Sequence, residues 1–147
     1  SVRGARVLIT GASLGIGEQV AYHFSRFGGQ IMITTGRSKA LKRVVQKCEK
    51  LGAKKAMYVT GDMSDAADPE RFKTVLGSRV AGGLDFLVLN HVGNRDVALW
   101  KGDADHVRDI MQGRLIIVNY VSYVQMMLNV PALERSAGSI VVVSSLA

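Results

Sequence analysis

Short apolar runs that alternate with amphipathic segments constrain the fold of this chain more than any other feature. The runs occupy residues 7–10, 31–35, 57–60, 84–90 and 139–145, and segments with helical periodicity separate them. The stretches 86–89 and 140–143 are continuously apolar, whereas a strand with one solvated face alternates apolar and polar residues. These runs therefore predict strands of a parallel sheet that helices cover on both faces.

The segment at 39–51 indicates how one such helix meets the sheet. Its apolar residues recur at helical spacing and form a single stripe, with lysines and an arginine outside it. The stripe consists of Leu41, Val44, Val45, Cys48 and Leu51. Gly52 follows as a typical helix terminator. With the strand pattern, this predicts an α/β fold, a Rossmann-like doubly wound parallel sheet with helices on both faces.

Length and composition limit the classes of protein. A chain of 147 residues with 48% hydrophobic residues can bury the core of one domain, which we place at residues 1–147. The single cysteine, Cys48, excludes a disulfide framework and a four-cysteine zinc site. The net charge of +7 favours anionic partners such as phosphates, nucleotides or nucleic acid. No apolar run approaches the roughly 20 residues of a membrane span.

A glycine-rich turn follows the first strand directly and opens into a helix. It reads Thr-Gly-Ala-Ser-Leu-Gly-Ile-Gly over residues 10–17. Gly11 permits a tight turn, Gly15 lets the backbone approach a phosphate, and Gly17 allows close helix packing, while the helix N-terminus offers free N–H groups to an anion. The turn predicts a dinucleotide site whose candidate residues are Gly11, Ser13, Leu14, Gly15, Ile16 and Gly17.

The end of the second strand indicates which nucleotide is bound. NAD-binding proteins place an acidic residue there for the ribose 2′-hydroxyl, but this chain has Arg37 and Ser38. The guanidinium of Arg37 can pair with a 2′-phosphate and Ser38 can donate a hydrogen bond to it, so NADP is the predicted cofactor. The alternative is that Arg37 is a solvated loop charge.

Two other classes of site are disfavoured. The basic residues between 39 and 55 would suit nucleic acid, but no aromatic residues interleave with them, so we interpret them as a solvated helix face and expect no nucleic-acid partner. His91, Asp103, Asp105 and His106 carry ligand-type side chains without the spacing of a metal site, so no metal is expected. Asp103 instead indicates a helix start.

Motifs in a fixed order carry a resemblance to a known family. After the glycine turn come Gly-Asp-Met at 61–63, Asn-His-Val-Gly at 90–93, Asn119, and Val-Ser-Ser at 143–145. This order resembles the short-chain dehydrogenases/reductases, and several segments are similar to their hydroxysteroid dehydrogenase members. The resemblance implies an NADP-dependent oxidoreductase that interconverts a secondary alcohol and a ketone, with a small carbonyl or alcohol substrate such as a steroid. It also suggests a homodimer and the endoplasmic reticulum or secretory pathway.

The resemblance implies individual roles as well. Asp62 and Met63 would lie near the adenine, and Asn90 beside the cofactor ribose, with two further cofactor-binding residues in His91 and Val92. Asn119 would join a water-linked proton relay, and Ser145 would be the catalytic serine that polarises the substrate oxygen. A tyrosine, whose pKa is lowered by a nearby lysine, completes such sites as the general acid and base.

The chain departs from the family pattern in three ways. The Tyr-x-x-x-Lys pair is expected beyond Ser145, and no tyrosine here is followed by lysine four residues later, so we expect a fold incomplete at its C-terminus and retain a catalytically silent, truncated cofactor-binding or interaction fragment as an alternative. Residues 113–117 resemble an insertion. In an unbroken helix its five residues would rotate Asn119 by about 1.4 turns, whereas a loop or bulge near Gly113 would absorb them. Leu14 stands where the hydroxysteroid dehydrogenase members carry a lysine, so the predicted 2′-phosphate site has one cation fewer.

Overall fold

The apolar runs form a parallel sheet in the computed structural model of the chain. The structure describes residues 1–36, 38–65, 67–68, 71–72, 74–75, 82–93, 102–112, 116–128 and 131–144. Its strands are β1 Arg6–Thr10, β2 Gln30–Thr35, β3 Lys55–Thr60, β4 Phe86–Leu89 and β5 Ser139–Val142. Within the described residues the five strands lie in the order β3-β2-β1-β4-β5, and each neighbouring pair is parallel.

Helices connect the strands as the periodicity predicts. The described ones are α1 Gly15–Arg26, α2 Ser38–Lys50, α3 Ala104–Gln112, α4 Ser122–Leu128 and α5 Pro131–Ser136. A π-helical segment, Ile117–Val121, leads into α4, and residues 67–68, 71–72 and 74–75 are also helical. The Asp103 carboxylate accepts the His106 N–H at 2.6 Å, which confirms the predicted start of α3.

Alternate residues of each central strand enter two separate cores. On one face Val7, Ile9 and Ile33 pack against α1 and α2, where Leu41, Val44 and Cys48 are fully buried as the stripe predicts. On the other face the sheet packs against α4, α5, the π-helical segment and the helical residues before β4. That second core includes Leu8, Met32, Leu87, Leu89, Phe72, Val118, Met126 and Leu133. The Rossmann-like arrangement with helices on both faces is therefore confirmed.

The last strand is more exposed than its sequence predicts. Ile140, Val141 and Val142 are 43%, 42% and 49% exposed, so the expectation that this run is buried on both faces is wrong. The cause is position, because β5 lies at the end of the described sheet and pairs there with β4 alone. The comparable run in β4 lies between two strands, and Leu87 to Leu89 are buried.

A bidentate ion pair fastens the start of β1 to the start of β4. The Arg6 guanidinium donates to both carboxylate oxygens of Asp85 at 2.9 and 2.8 Å, and the Arg6 backbone N–H donates to the same carboxylate at 2.8 Å. These bonds hold the pKa of the Asp85 carboxyl below its usual range. Because three donors lose their acceptor, Asp85→Ala is expected to lower the free energy of unfolding by about 2 kcal/mol, measured by urea denaturation.

A second ion pair provides the matched control. Asp105 and Arg108 lie one turn apart on α3, and their side chains are 87% and 59% exposed. Solvent screens such a pair, so Asp105→Ala should change the free energy of unfolding by no more than about 0.5 kcal/mol. Equal losses in the two variants would contradict a structural role for the Asp85 pair.

Candidate functional site

A pocket of about 610 Å³ opens at the carboxyl ends of β1 to β4. The two neighbours of β1 are β2 on one side and β4 on the other, so the strand order reverses direction at β1. The pocket lies at this point, which is the usual ligand position in sheets of this kind. The residues of the predicted site that line it are Gly11, Ser13, Leu14, Gly15, Ile16, Asp62, Met63, Asn90, His91 and Val92. Residues far apart in sequence therefore meet at one edge of the sheet.

The three glycines of the turn meet different constraints. Gly11 and Gly15 have φ values of +65° and +64°, which favour glycine. A Cβ on Gly11 would lie 2.6 Å from the His91 Cα, and a Cβ on Gly17 would lie 2.8 Å from the Gly11 carbonyl oxygen. A Cβ on Gly15 would meet no atom within 4 Å. Protein atoms therefore pack closely against Gly11 and Gly17, whereas the space beside Gly15 is open to the pocket.

The N-terminus of α1 faces this pocket without a side-chain cap. Leu14 occupies the N-cap position with extended backbone, and it offers no hydrogen bond to the first turn. The acidic residue in that turn, Glu18, accepts the Tyr22 hydroxyl at 2.6 Å and lies 3.4 Å from the Arg43 guanidinium. Burial, and then the bond to Glu18, raises the pKa of Tyr22. The uncapped N–H groups suit an anionic ligand.

Asn90 ties the end of β4 to the glycine turn. Its backbone N–H donates to the Thr10 Oγ1 at 2.9 Å. Its side-chain amide donates to the carbonyl oxygens of Thr10 at 3.3 Å and Gly11 at 3.1 Å. These bonds use the amide hydrogens and leave the carbonyl oxygen of the side chain available to a ligand in the pocket.

The His91 ring is directed into the protein. His91 is 6% exposed, its Nδ1 lies 2.8 Å from the Thr10 Oγ1, and its Nε2 lies 2.7 Å from the Ser122 Oγ. Burial lowers the pKa of His91 to about 4, although a bond to the Val118 carbonyl acts in the opposite direction. Both ring nitrogens are thus engaged by protein atoms, whereas the neighbouring Val92 is 75% exposed.

The Asn119 side chain reaches the loop after β4. Its side-chain oxygen accepts the Gly93 N–H at 2.7 Å and its amide donates to the Gly93 carbonyl at 3.2 Å. The surrounding segment is π-helical, with the Ser122 N–H bonded to the Ile117 carbonyl five residues earlier. This wider turn differs from an unbroken α-helix and lies at Asn119 itself. Residues 113–115 lie outside the described part of the chain.

Three predicted site residues are only partly described or not described. Arg37 and Ser145 lie outside the described residues, and so does the side chain of Ser38. Asp62 accepts hydrogen bonds from the Ser64 N–H and hydroxyl at 2.9 and 2.8 Å, and Met63 beside it is buried. These two residues form the pocket wall at the end of β3.

Sequence reasoning missed several residues that line the pocket. These are Thr34, Thr35, Gly36, Gly61, Gly93 and Val118. Gly36, Gly61 and Gly93 each adjoin a selected residue, and Thr34 and Thr35 end β2, so the rule that ligands meet strand ends could have found these five. Val118 carries no such signal because its position depends on helix packing. Thr34 is fully buried, and its hydroxyl has no hydrogen-bond partner among the described residues.

Two other kinds of feature are absent from the described residues. No group of three or more histidine, cysteine, aspartate and glutamate side chains in them is placed to hold a metal ion. No helix in the same part of the chain has the length and apolar character needed to cross a membrane.

Sequence comparison identifies the family. The family model for short chain dehydrogenases matches residues 5–147. The chain belongs to the short chain dehydrogenase family. The predicted resemblance is confirmed, and it extends to the hydroxysteroid dehydrogenase-like members. The chain is 49% identical over 147 residues to the hydroxysteroid 11-beta-dehydrogenase 1-like protein of Danio rerio and 43% identical to that of Homo sapiens. Both alignments cover 99% of this chain, but they cover 49% and 45% of the two relatives. The chain therefore spans about half the length of these relatives.

Solved structures support the same fold. The NADH-dependent reductase A1-R′ complexed with NAD superposes with a TM-score of 0.85 at 23% identity, over 99% of this chain and 61% of the reductase. L-sorbose reductase from Gluconobacter frateurii, complexed with NADPH and L-sorbose, gives a TM-score of 0.79 at 20% identity, over 95% and 51% of the two chains. At these identities the likeness establishes the fold alone.

Proposed function

We propose that this chain is the NADP-binding part of an oxidoreductase of the hydroxysteroid dehydrogenase type, which interconverts a secondary alcohol and a ketone. The observation that carries the proposal is the pocket at the strand ends, which combines the open turn at Gly15 with the uncapped N-terminus of α1. That combination suits a pyrophosphate group, because the backbone approaches closely and its N–H groups point at the anion.

The pocket's own residues fit a dinucleotide. The space beside Gly15 would be filled by a Cβ, and the buried Thr34 hydroxyl lacks a partner among the described residues. The two reductases of this fold were solved with NAD in one case and NADPH in the other. We therefore base the choice between the two nucleotides on Arg37 and Ser38. Because a guanidinium pairs with a 2′-phosphate, we favour NADP.

Each side chain then has a defined task. Asp62 and Met63 would contact the adenine, and the free Asn90 side-chain oxygen would accept from the ribose on the nicotinamide side. When bound, the nucleotide supplies or accepts the hydride at the substrate carbon. Ser145 would donate to the substrate oxygen, and Asn119, beside Gly93, would hold a water for proton transfer.

Turnover is a property that we propose for the whole protein, since this chain spans about half the length of its relatives. A steroid is the substrate class suggested by the relatives' names, and Met127 and Leu128, exposed on α4, are candidates for a homodimer surface. The alternative is a catalytically silent nucleotide-binding fragment. Both alternatives predict binding, and NADPH oxidation with a ketone distinguishes them.

The test is fluorescence titration of the protein with NADPH and NADH. We expect NADPH to bind at least about tenfold more tightly than NADH, because a charge-assisted pair with the 2′-phosphate contributes roughly 1.5–3 kcal/mol. Arg37→Ala should remove most of this preference and leave the affinity for NADH unchanged.

The control is Lys50→Ala, which removes an exposed positive charge from the far end of α2. It should change neither affinity, since solvent and salt screen a charge that does not contact the phosphate. An NADPH preference that survives Arg37→Ala would refute the NADP assignment. Failure of the folded protein to bind either nucleotide would refute the proposed function.

A further inference from the structure

His91 connects three elements that meet under the pocket. Its Nδ1 lies 2.8 Å from the Oγ1 of Thr10, the last residue of β1. Its Nε2 lies 3.0 Å from the Val118 carbonyl oxygen in the π-helical segment and 2.7 Å from the Ser122 Oγ at the start of α4. A ring in the loop after β4 thus spans from the strand before the glycine turn to the helix on the second face of the sheet.

The hydrogen-bond pattern assigns the protonation of this ring. The Ser122 hydroxyl donates to the Val118 carbonyl at 2.6 Å, so the Ser122 Oγ is left to accept from the His91 Nε2–H. The Thr10 Oγ1 accepts the backbone N–H groups of Asn90 and His91. Its own hydrogen has two acceptors within reach, the Val88 carbonyl oxygen at 3.3 Å and the His91 Nδ1 at 2.8 Å, and the shorter distance assigns it to Nδ1. A neutral ring with hydrogen on Nε2 satisfies every member, as a buried network requires.

The segment that His91 holds forms one wall of the pocket. Val118 lines the pocket, and the next residue, Asn119, binds both backbone groups of Gly93, which also lines it. The Tyr123 hydroxyl donates to the His91 carbonyl at 2.6 Å, and the two rings pack edge to face at 4.4 Å. The wall therefore depends on contacts that converge on His91.

The position of this wall decides which half of a nucleotide it meets. In a sheet of this order the adenosine ribose lies at the end of β2 and the pyrophosphate at the N-terminus of α1. The remaining half extends towards β4, where Gly93 and Val118 lie. That half carries the nicotinamide.

We propose that His91 is a positioning residue whose neutral ring fixes Val118 and the π-helical segment against the end of β1, and so shapes the wall that receives the nicotinamide half of the nucleotide. The inference rests on the proposed nucleotide-binding function. His91 acts through Val118 and Asn119, because both of its ring nitrogens are engaged by Thr10, Ser122 and Val118.

Two ligands that differ only in the nicotinamide provide the test: NADPH and 2′-phospho-ADP-ribose, titrated calorimetrically into the protein. His91→Phe keeps a ring of similar shape and removes both hydrogen bonds. It should raise the Kd of NADPH about tenfold, because losing one buried hydrogen bond weakens binding by about that factor. The Kd of 2′-phospho-ADP-ribose should change less than about twofold. His91→Gln, which both donates and accepts, should recover part of the NADPH affinity.

Ser122→Ala is the milder companion variant and remains informative if His91→Phe does not fold. It deletes the hydroxyl between His91 and Val118, so we expect the same selective loss at about threefold. Equal weakening of both ligands, or unchanged NADPH affinity in a folded variant, would overturn the positioning role while the proposed function stands. If the wild-type protein bound neither 2′-phospho-ADP-ribose nor NADPH, both the positioning role and the proposed function would be refuted.

Discussion

Gly11→Ala should destabilise the protein by about 4 kcal/mol, whereas Gly15→Ala should cost about 1–2 kcal/mol. Both glycines have φ near +65°, so the conformational cost of alanine is the same at the two positions. At Gly11 the new Cβ would also lie 2.6 Å from the His91 Cα and 2.9 Å from its nitrogen, and these are backbone atoms that no rotamer change can move. Urea unfolding followed by circular dichroism measures the difference.

The pair also separates folding from binding. A Cβ at Gly15 meets no protein atom within 4 Å, and Gly15 lines the pocket, so the methyl group would occupy ligand space. Gly15→Ala should therefore remain folded and lose affinity for NADPH by about tenfold or more. Equal destabilisation by the two substitutions would show that the close approach at Gly11 contributes nothing. Unchanged NADPH affinity in Gly15→Ala would argue against phosphate binding at this turn.

The free energy of unfolding should fall by about 2 kcal/mol between pH 7 and pH 5 because of His91 alone. Burial lowers the pKa of His91 to about 4, while the unfolded chain takes up the proton near pH 6.5. Between these values the unfolded state binds a proton that the folded state rejects. Stability is therefore complete above pH 6.5 and decreases as the pH falls towards 4.

The groups around the ring support this assignment. Among the described residues, Tyr123 is the titratable residue in contact with His91, and burial raises its pKa, so it stays neutral over this range. Asp85 also favours the folded state at higher pH, but its lowered pKa places its loss at lower pH than that of His91. The measurement is urea unfolding at pH 7, 6 and 5, with His91→Gln as the control. A slope that persists in this variant would assign the effect to other groups.

The features predicted from sequence are those encoded by local spacing. The stripe of Leu41, Val44 and Cys48 identifies the buried side of α2, and the glycine turn identifies the pocket, because each pattern reflects contacts within one helix or one turn. The pocket residues that follow β3 and β4, residues 62, 63 and 90–92, came from the family resemblance instead. Periodicity and turn chemistry therefore account for the sheet, its helices and the part of the pocket formed by the glycine turn.

The features that were missed depend on neighbours that are distant in sequence. The run at β5 has the composition of a buried strand, yet its exposure follows from its place at the end of the described sheet. His91 has the residue type of a ligand contact, but Thr10 and Ser122 turn its ring inwards. The π-helical segment is another such case, since Asn119 within it binds Gly93, which lies 26 residues earlier in the sequence. No local pattern contains this information.

The central pairing of the sheet has a consequence for folding. β1 pairs with β2 within 24 residues, Arg6 opposite Gln30, but its other neighbour is β4, with Val7 opposite Phe86. Closing so long a loop costs entropy that is recovered only when the contacts form, so this step is expected late. The bonds from Thr10 to Asn90 and His91 belong to the same step. During synthesis the nucleotide pocket therefore cannot exist until β4 has left the ribosome, and binding of nucleotide would report completion of the central sheet.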